Sequence, residues 1–299
     1  FEGGGACFNA LTCGVNPGNA DANSFNAWAS GGGQGGIFNI GNGDNPVSEW
    51  THIHIPYCTG DVHAGSNPNG MVQGAGAQKF VGYTNVEHFL QRIVPTFYGD
   101  VYDVLVTGQS AGGFGAAINY DRIADAFFYA DVTLLDDSGP PMADAYLAPC
   151  LQQQWRDLWS LDVAIPDDCT DCSLPDGGGI ANLASYIGAK HNNQRLALIS
   201  ANHDSVIRTF FGYGIANPND MPCGFKLIPS MDDWFFEDGL YDLRDNVLDQ
   251  SSVWGSYIVT STSHTWIGGN SFYETDVGGT LLVDWVEDLI DGTTSHVSP

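Results

Sequence analysis

Val104-Leu105-Val106-Thr107-Gly108-Gln109-Ser110-Ala111-Gly112-Gly113 is the stretch from which the architecture of this 299-residue chain can be read. Its first four residues are aliphatic or β-branched, the composition of a short buried strand. Gly112–Phe127 then carries Ala116, Ala117, Ile123 and Ala124 at helical spacing. Between strand and helix stands Gly-x-Ser-x-Gly. A chain that reverses this sharply leaves no room for side chains two residues before and after the serine, and Gly108 and Gly112 meet that demand. The turn lifts the Ser110 hydroxyl clear at the end of the strand. The helix starting behind it favours negative charge developing there. The plainer alternative is a glycine-rich turn that merely contains a serine; the strand before and the helix after favour a nucleophile.

Outward from this turn, strand-like and helix-like segments alternate. Thr51–Tyr57, Val101–Thr107, Val132–Leu135, Leu196–Ser200 and Val253–Ser261 read as strands. Thr84-Asn85-Val86-Glu87 reads as a capping box opening an amphipathic helix with Phe89, Leu90 and Ile93. Leu281–Ile290 reads as a closing helix stopped by Gly292. The alternation predicts an α/β fold with a mostly parallel central sheet, helices on both faces and right-handed crossovers. One domain over residues 1–299 is expected, with a Cys-, Gly- and Pro-rich insertion at about 138–190.

Composition narrows the partners. Nine Lys and Arg face 35 Asp and Glu, a formal net charge of −26, so no nucleic-acid partner is expected and anionic membranes are poor partners, because like charges repel. No run reaches the ~20 apolar residues of a membrane span. Seven Cys with few Lys point to an oxidising compartment, disulfides and a secreted protein. The odd count leaves one thiol without an internal partner, and Cys58 is the candidate. The abrupt opening on Phe-Glu-Gly-Gly-Gly reads as a cut within a strand, with further sequence expected upstream.

A serine nucleophile needs a base and an acid, in the chain order Ser, acid, His. His191, His203 and His264 follow Ser110 at usable places. His264 lies late in the chain, after a strand and the polar loop Thr260–Ser263, where a triad imidazole belongs. For the acid, Asp204 follows the strand Leu196–Ser200 by a few residues, but it also suits an N-cap for the helix Ser205–Phe211. Asp136 and Asp137 end a strand as well, and Asp232 and Asp233 compete. Stabilising an acyl-transfer oxyanion takes two backbone N–H groups. Ala111, next to the serine, supplies one; the glycine-rich loop Phe1–Phe8 is the place for the other.

With these pieces in place, the chain resembles the pectin acetylesterase family. The matching motifs are EGGGAC at 2–7 with a second Cys at 13, IPYCTGDVHAGS at 55–66, GQSAGG at 108–113, NHDS at 202–205 and SHTW at 263–266. They run through nearly the whole chain in the family's order. The resemblance implies an α/β-hydrolase fold, a triad of Ser110, Asp204 and His264, and an oxyanion hole from Gly4, Gly5 and Ala111. It implies a Cys7–Cys13 disulfide and places Asp61 and His63 near the substrate. The implied partner is an ester, with an acetylated polysaccharide as the leading class; neutral acyl esters or polyesters, and a non-catalytic carbohydrate-binding relative, are the alternatives. Ala6 stands where the family often has an aromatic residue, and His63 where some relatives have Trp, so acyl specificity does not carry over.

No cofactor or metal is expected. Cys169-x-x-Cys172 lacks a second ligand pair and reads as disulfide-bonded rather than as a zinc knuckle. His52, His54 and His63 read as packed strand and pocket residues. The Asp-rich pieces near 44, 167 and 176 match no EF-hand spacing.

Overall fold

Strands whose residues are apolar on both faces need cover on both faces. The computed structural model, which describes residues 1–16, 19–214, 223 and 230–299, meets that need with a five-stranded sheet. The chain opens with α1 (Ala10–Cys13) and α2 (Ala22–Ala29). The hairpin β1 (Asn67–Val72) and β2 (Gly76–Phe80) and helix α3 (Gly82–Phe97) follow. Next come β3 (Asp103–Gln109), α4 (Ala111–Ala126), β4 (Asp131–Asp137), α5 (Pro149–Trp159), α6 (Asn182–Lys190), β5 (Arg195–Ala201), α7 (Ser205–Phe211), α8 (Asp233–Leu243) and β6 (Trp254–Val259). The small pair β7 (Asp276–Val277) and β8 (Thr280–Leu281) follows α9 (Ser271–Glu274), and α10 (Leu282–Ile290) and β9 (His296–Val297) complete the order.

The sheet order is β3-β4-β5-β6-β9 and every pairing is parallel. Alternation along the strands divides the core in two. Val106, Val132, Leu134, Leu196, Leu198 and Ile258 pack on one side with Ala116, Tyr120 and Ile123 of α4. Leu135, Ala197, Ile199 and Tyr257 pack on the other with Leu282, Trp285, Val286 and Leu289 of α10. The residues of α4 that face the sheet are mostly alanine and glycine, so the helix lies close against the strand it follows.

Two local expectations are corrected. Residues 51–57 are extended but join no sheet; their backbone is tied instead to Glu2, whose N–H donates to Ile55 O at 3.0 Å. The helix expected from Thr84 begins at Gly82, because the buried Asp61 carboxylate accepts the Gly82 N–H at 2.8 Å. A carboxylate from elsewhere in the chain satisfies the first orphan donor, and the Thr84 box is not needed.

Residues 138–190 carry α5 and α6. This stretch is organised by Arg156, 5% exposed, which donates to the carbonyls of Cys172, Gly177 and Gly178. Cys7–Cys13, Cys150–Cys223 and Cys169–Cys172 are disulfides, and Cys58 is free. The Cys150–Cys223 bridge spans 73 residues, a loop whose closure restricts the unfolded chain by about 4 kcal/mol. No helix among the described residues is long and apolar enough to cross a membrane. β3 is an edge strand of the sheet, and a cleft of about 750 Å³ runs between it, the apolar side of α3 and residues 51–55.

Candidate active site

Parallel strands deliver their C-terminal ends to one edge, and the candidate residues follow β3, β5 and β6 at that edge. Ser110 sits between β3 and α4 with φ 59° and ψ −122°, a backbone conformation that a side chain disfavours. A Cβ on Gly108 would collide with the Gly112 carbonyl, and one on Gly112 with the Phe1 carbonyl. The turn therefore depends on both glycines, as the sequence spacing required.

The glycine-rich loop lies against this turn. A Cβ on Gly3 would stand 2.6 Å from the Gln109 carbonyl oxygen and 3.3 Å from Ser110 Cβ. Gly5 has φ 82°, open in practice only to glycine. Among the described residues, the N–H groups of Gly4, Gly5 and Ala111 have no acceptor.

The loop is held from below. Tyr57 N–H donates to Glu2 Oε2 at 2.9 Å, Tyr57 Oη–H donates to Gly5 O at 2.8 Å, and Val62 N–H donates to Tyr57 Oη at 2.9 Å. His63 lies in the same layer, its ring 4.7 Å from that of Tyr57 and tilted by 34°, and its Nε2 meets Glu2 O at 2.8 Å. A carbonyl only accepts, so that nitrogen carries the hydrogen. Asp61 is 0% exposed and His63 2% exposed. Asp61 accepts from Thr59 Oγ1 and from the first N–H of α3. Both Asp61 oxygens and His63 Nε2 are thus bonded within the protein, His63 to the glycine-rich loop itself.

Burial pushes the His63 imidazole down to about 3. The sign of the consequence is fixed. An unfolded histidine gains a proton below about pH 6.5 while the folded one stays neutral, so acid favours unfolding. Between pH 6.5 and about 3, His63 costs stability at up to about 1.4 kcal/mol per pH unit. The expected result is that His63→Gln, whose amide still reaches Glu2, shows a shallower acid dependence of its urea midpoint than the parent; parallel curves would refute it. Comparing the two proteins cancels Asp61, whose carboxyl burial pushes up and which acts in the opposite sense.

Asp204 bonds both to the first amides of α7 and to His264. Its Oδ1 caps α7, accepting from Val206 N and Ile207 N at 2.9 and 3.0 Å. Its Oδ2 meets His264 Nδ1 at 2.7 Å. The carboxylate fixes the hydrogen on Nδ1 and leaves the Nε2 lone pair free. His264 Nε2 is itself buried and has no hydrogen-bond partner. The loops that carry Asp204 and His264 are joined along their backbones: Asn202 N–H donates to Val259 O, His203 N–H to Ser261 O and Ser205 N–H to Thr262 O. Of the competing residues, Asp136 is buried with its Oδ1 unpartnered, and the others are engaged elsewhere. His191 pairs with Asp121 at 2.7 Å, and His203 with Glu237 at 3.3 Å. Asp232 and Asp233 begin α8. Asp137 binds backbone amides rather than the imidazole.

Asp121, Asp125 and His191 gather closely enough to suggest a metal site. Lys190 Nζ already lies 2.7 Å from Asp121 and 2.9 Å from Asp125, so the cation there is the protein's own. Glu2, Tyr57 and Asp137 were missed as supporting residues. Their sequence signals were the IPYC run and the acidic end of a strand, and neither reveals a bonding partner far away in the chain.

A family model described as Pectinacetylesterase matches residues 1–189. The palmitoleoyl-protein carboxylesterase notum2 of Xenopus laevis is 30% identical over 128 residues, 42% of this chain and 25% of that protein. Palmitoleoyl-protein carboxylesterase NOTUM of Drosophila melanogaster is 28% identical over 154 residues, 46% of this chain and 22% of that protein. The matched part thus spans about a quarter of the length of these relatives. A structure of the Wnt deacylase Notum from Drosophila superposes with a TM-score of 0.63 at 18% identity, covering 96% of this chain and 82% of that one. The fold is of the α/β-hydrolase kind, with a central parallel sheet and helices around it.

Proposed function

Because this chain belongs to the pectinacetylesterase family, we propose that it is a serine-dependent carboxylic ester hydrolase. The observation that carries the reading is the Asp204–His264 pair at 2.7 Å with a buried, unpartnered Nε2, set among strand ends that also present Ser110 on a strained turn. His264 Nε2 takes the Ser110 proton as the serine oxygen attacks the ester carbonyl. The tetrahedral oxyanion rests on the N–H groups of Gly4, Gly5 and Ala111, each donor worth roughly 2.7–4 kcal/mol when removed. His264 then protonates the departing alcohol. Water, deprotonated by the same nitrogen, releases the acid from the acyl-enzyme. Asp204 holds the tautomer and stabilises the imidazolium; His63 holds the glycine-rich loop through Glu2 O.

The family description favours acetyl esters on a polysaccharide as substrate. The net charge of −26 opposes polygalacturonate itself, so acetylated neutral glycans are the better candidates. A longer acyl chain is the second reading, favoured by the relatives' name, palmitoleoyl-protein carboxylesterase. Three disulfides support an extracellular setting. The test is a fluorophosphonate probe with mass mapping, followed by p-nitrophenyl esters from C2 to C16 and acetylated polysaccharides. The expected outcome is one adduct, on Ser110, and faster turnover of short esters with acetate release from glycans. Preference for C16 would move the assignment to the long-acyl reading, and no adduct with no hydrolysis at any length would leave only a binding protein.

A further inference from the structure

Asp137, the last residue of β4, is 0% exposed and bonded to both halves of the candidate site. Its carbonyl accepts the backbone N–H of Ser110 at 2.7 Å. Its carboxylate oxygen Oδ2 accepts the backbone N–H groups of Trp266 at 2.7 Å and Ile267 at 3.0 Å, two and three residues beyond His264. Gln109, the residue before the serine, pairs in register with Asp137 and donates from Nε2 to the same Oδ2 at 3.4 Å. The other oxygen accepts from Ser138 Oγ at 2.9 Å. On the base's side, Gly268 lies so close to the Gln109 side chain that a Cβ there would stand 2.7 Å from its amide.

Three non-glycine residues with left-handed backbones surround this point: Ser110 at φ 59°, Ser138 at φ 69° and Thr265 at φ 66°. Strain of this kind persists only where surrounding bonds over-determine the backbone. Asp137 bonds at each of the three: to the Ser110 backbone N–H, to the Ser138 side-chain hydroxyl, and to the backbone N–H of the residue after Thr265. Burial pushes its carboxyl up from the ordinary value, and the Ile267 and Trp266 amides oppose that shift.

We propose that Asp137 is a positioning residue that sets the separation of nucleophile and base, holding the Ser110 turn by its carbonyl and the His264 loop by its carboxylate. The proposal rests on the reading of Ser110 and His264 as nucleophile and base. It assigns Asp137 no proton transfer: the acid at the imidazole is Asp204, and Asp137 acts one step back, through peptide groups.

The experiment compares Asp137→Ala and Asp137→Asn, with kcat expressed per fluorophosphonate-titrated serine, so that loss of folded protein does not register as loss of rate. Freeing the His264 loop to drift by about an ångström lowers kcat of Asp137→Ala on the order of 10²-fold with KM little changed. Asn presents a carboxamide oxygen to both amides and an NH₂ to Ser138, and retains most of the rate. Hydrogen exchange at Trp266 and Ile267 rises in the Ala protein. The same amides are expected to be protected in the unmodified chain, a measurement that stands even where Asp137→Ala fails to fold. Free exchange of these amides in the unmodified chain, or a per-site kcat in Asp137→Ala equal to the parent's, overturns the inference while leaving the esterase reading intact. Failure of Ser110 to label in the unmodified protein overturns both.

Discussion

Ser110→Ala abolishes ester turnover, lowering kcat on the order of 10⁶-fold, the scale on which removal of a triad serine acts. The fold is expected to be untouched. The Ser110 hydroxyl makes no hydrogen bond among the described residues, so alanine leaves no orphaned partner. The left-handed turn is tied by backbone groups: Ser110 N–H donates to Asp137 O at 2.7 Å, and Ser110 O accepts from Gly113 N at 2.9 Å. Alanine also keeps the Cβ, so the strain of φ 59° is neither relieved nor increased. Stability is therefore expected to change by no more than about 0.5 kcal/mol. Urea unfolding, p-nitrophenyl acetate turnover and fluorophosphonate labelling of the same preparation check this. An Ala protein that turns over ester at the parental rate, or that labels at another serine, would falsify the nucleophile assignment.

Asp204→Asn is expected to lower kcat on the order of 10⁴-fold while sparing the helix it caps. The two carboxylate oxygens of Asp204 have separate tasks. Asn can keep its oxygen on the Val206 and Ile207 amides, where Oδ1 now lies at 2.9 and 3.0 Å. Its NH₂ then faces His264 Nδ1, which accepted nothing before. The imidazole must move its hydrogen to Nε2, and the lone pair needed to take the serine proton is lost. Asp204→Ala removes both functions and loses about 1 kcal/mol more of stability through the cap. Comparing the two variants by kcat and by urea midpoint separates the tasks. If Asn retains the parental rate, Asp204 is a helix cap and nothing more, and the acid has to be sought elsewhere.

The catalytic reading sits on a part of the chain that sequence reveals well. A sharp strand-to-helix turn has a purely local requirement: small residues at two fixed offsets and a helix start behind the serine. Gly108, Ser110 and Gly112 therefore declared the turn, and alternating apolar runs declared the parallel sheet, because both depend on neighbours in sequence. Helix α7 was equally legible at Ser205–Phe211, since Asp204 caps it from the adjoining position.

What failed to show in the sequence depends on partners far along the chain. The start of α3 was set by Asp61, 21 residues before Gly82, and no local capping signal could announce that. Thr51–Tyr57 has a strand's composition, yet its backbone is tied to Glu2 rather than to a sheet neighbour. Asp137 was visible only as a carboxylate at a strand end, one of several. Which of them met the imidazole, which held the amides of Trp266 and Ile267 and which began a helix was decided by the register of β3, β4, β5 and β6. The sequence alone thus determined the four strands β3 to β6, the serine's turn and the kinds of group available. Only the folded chain decided their pairing, because a hydrogen bond is set by distances of about 3 Å between groups that sequence separates by up to 130 residues.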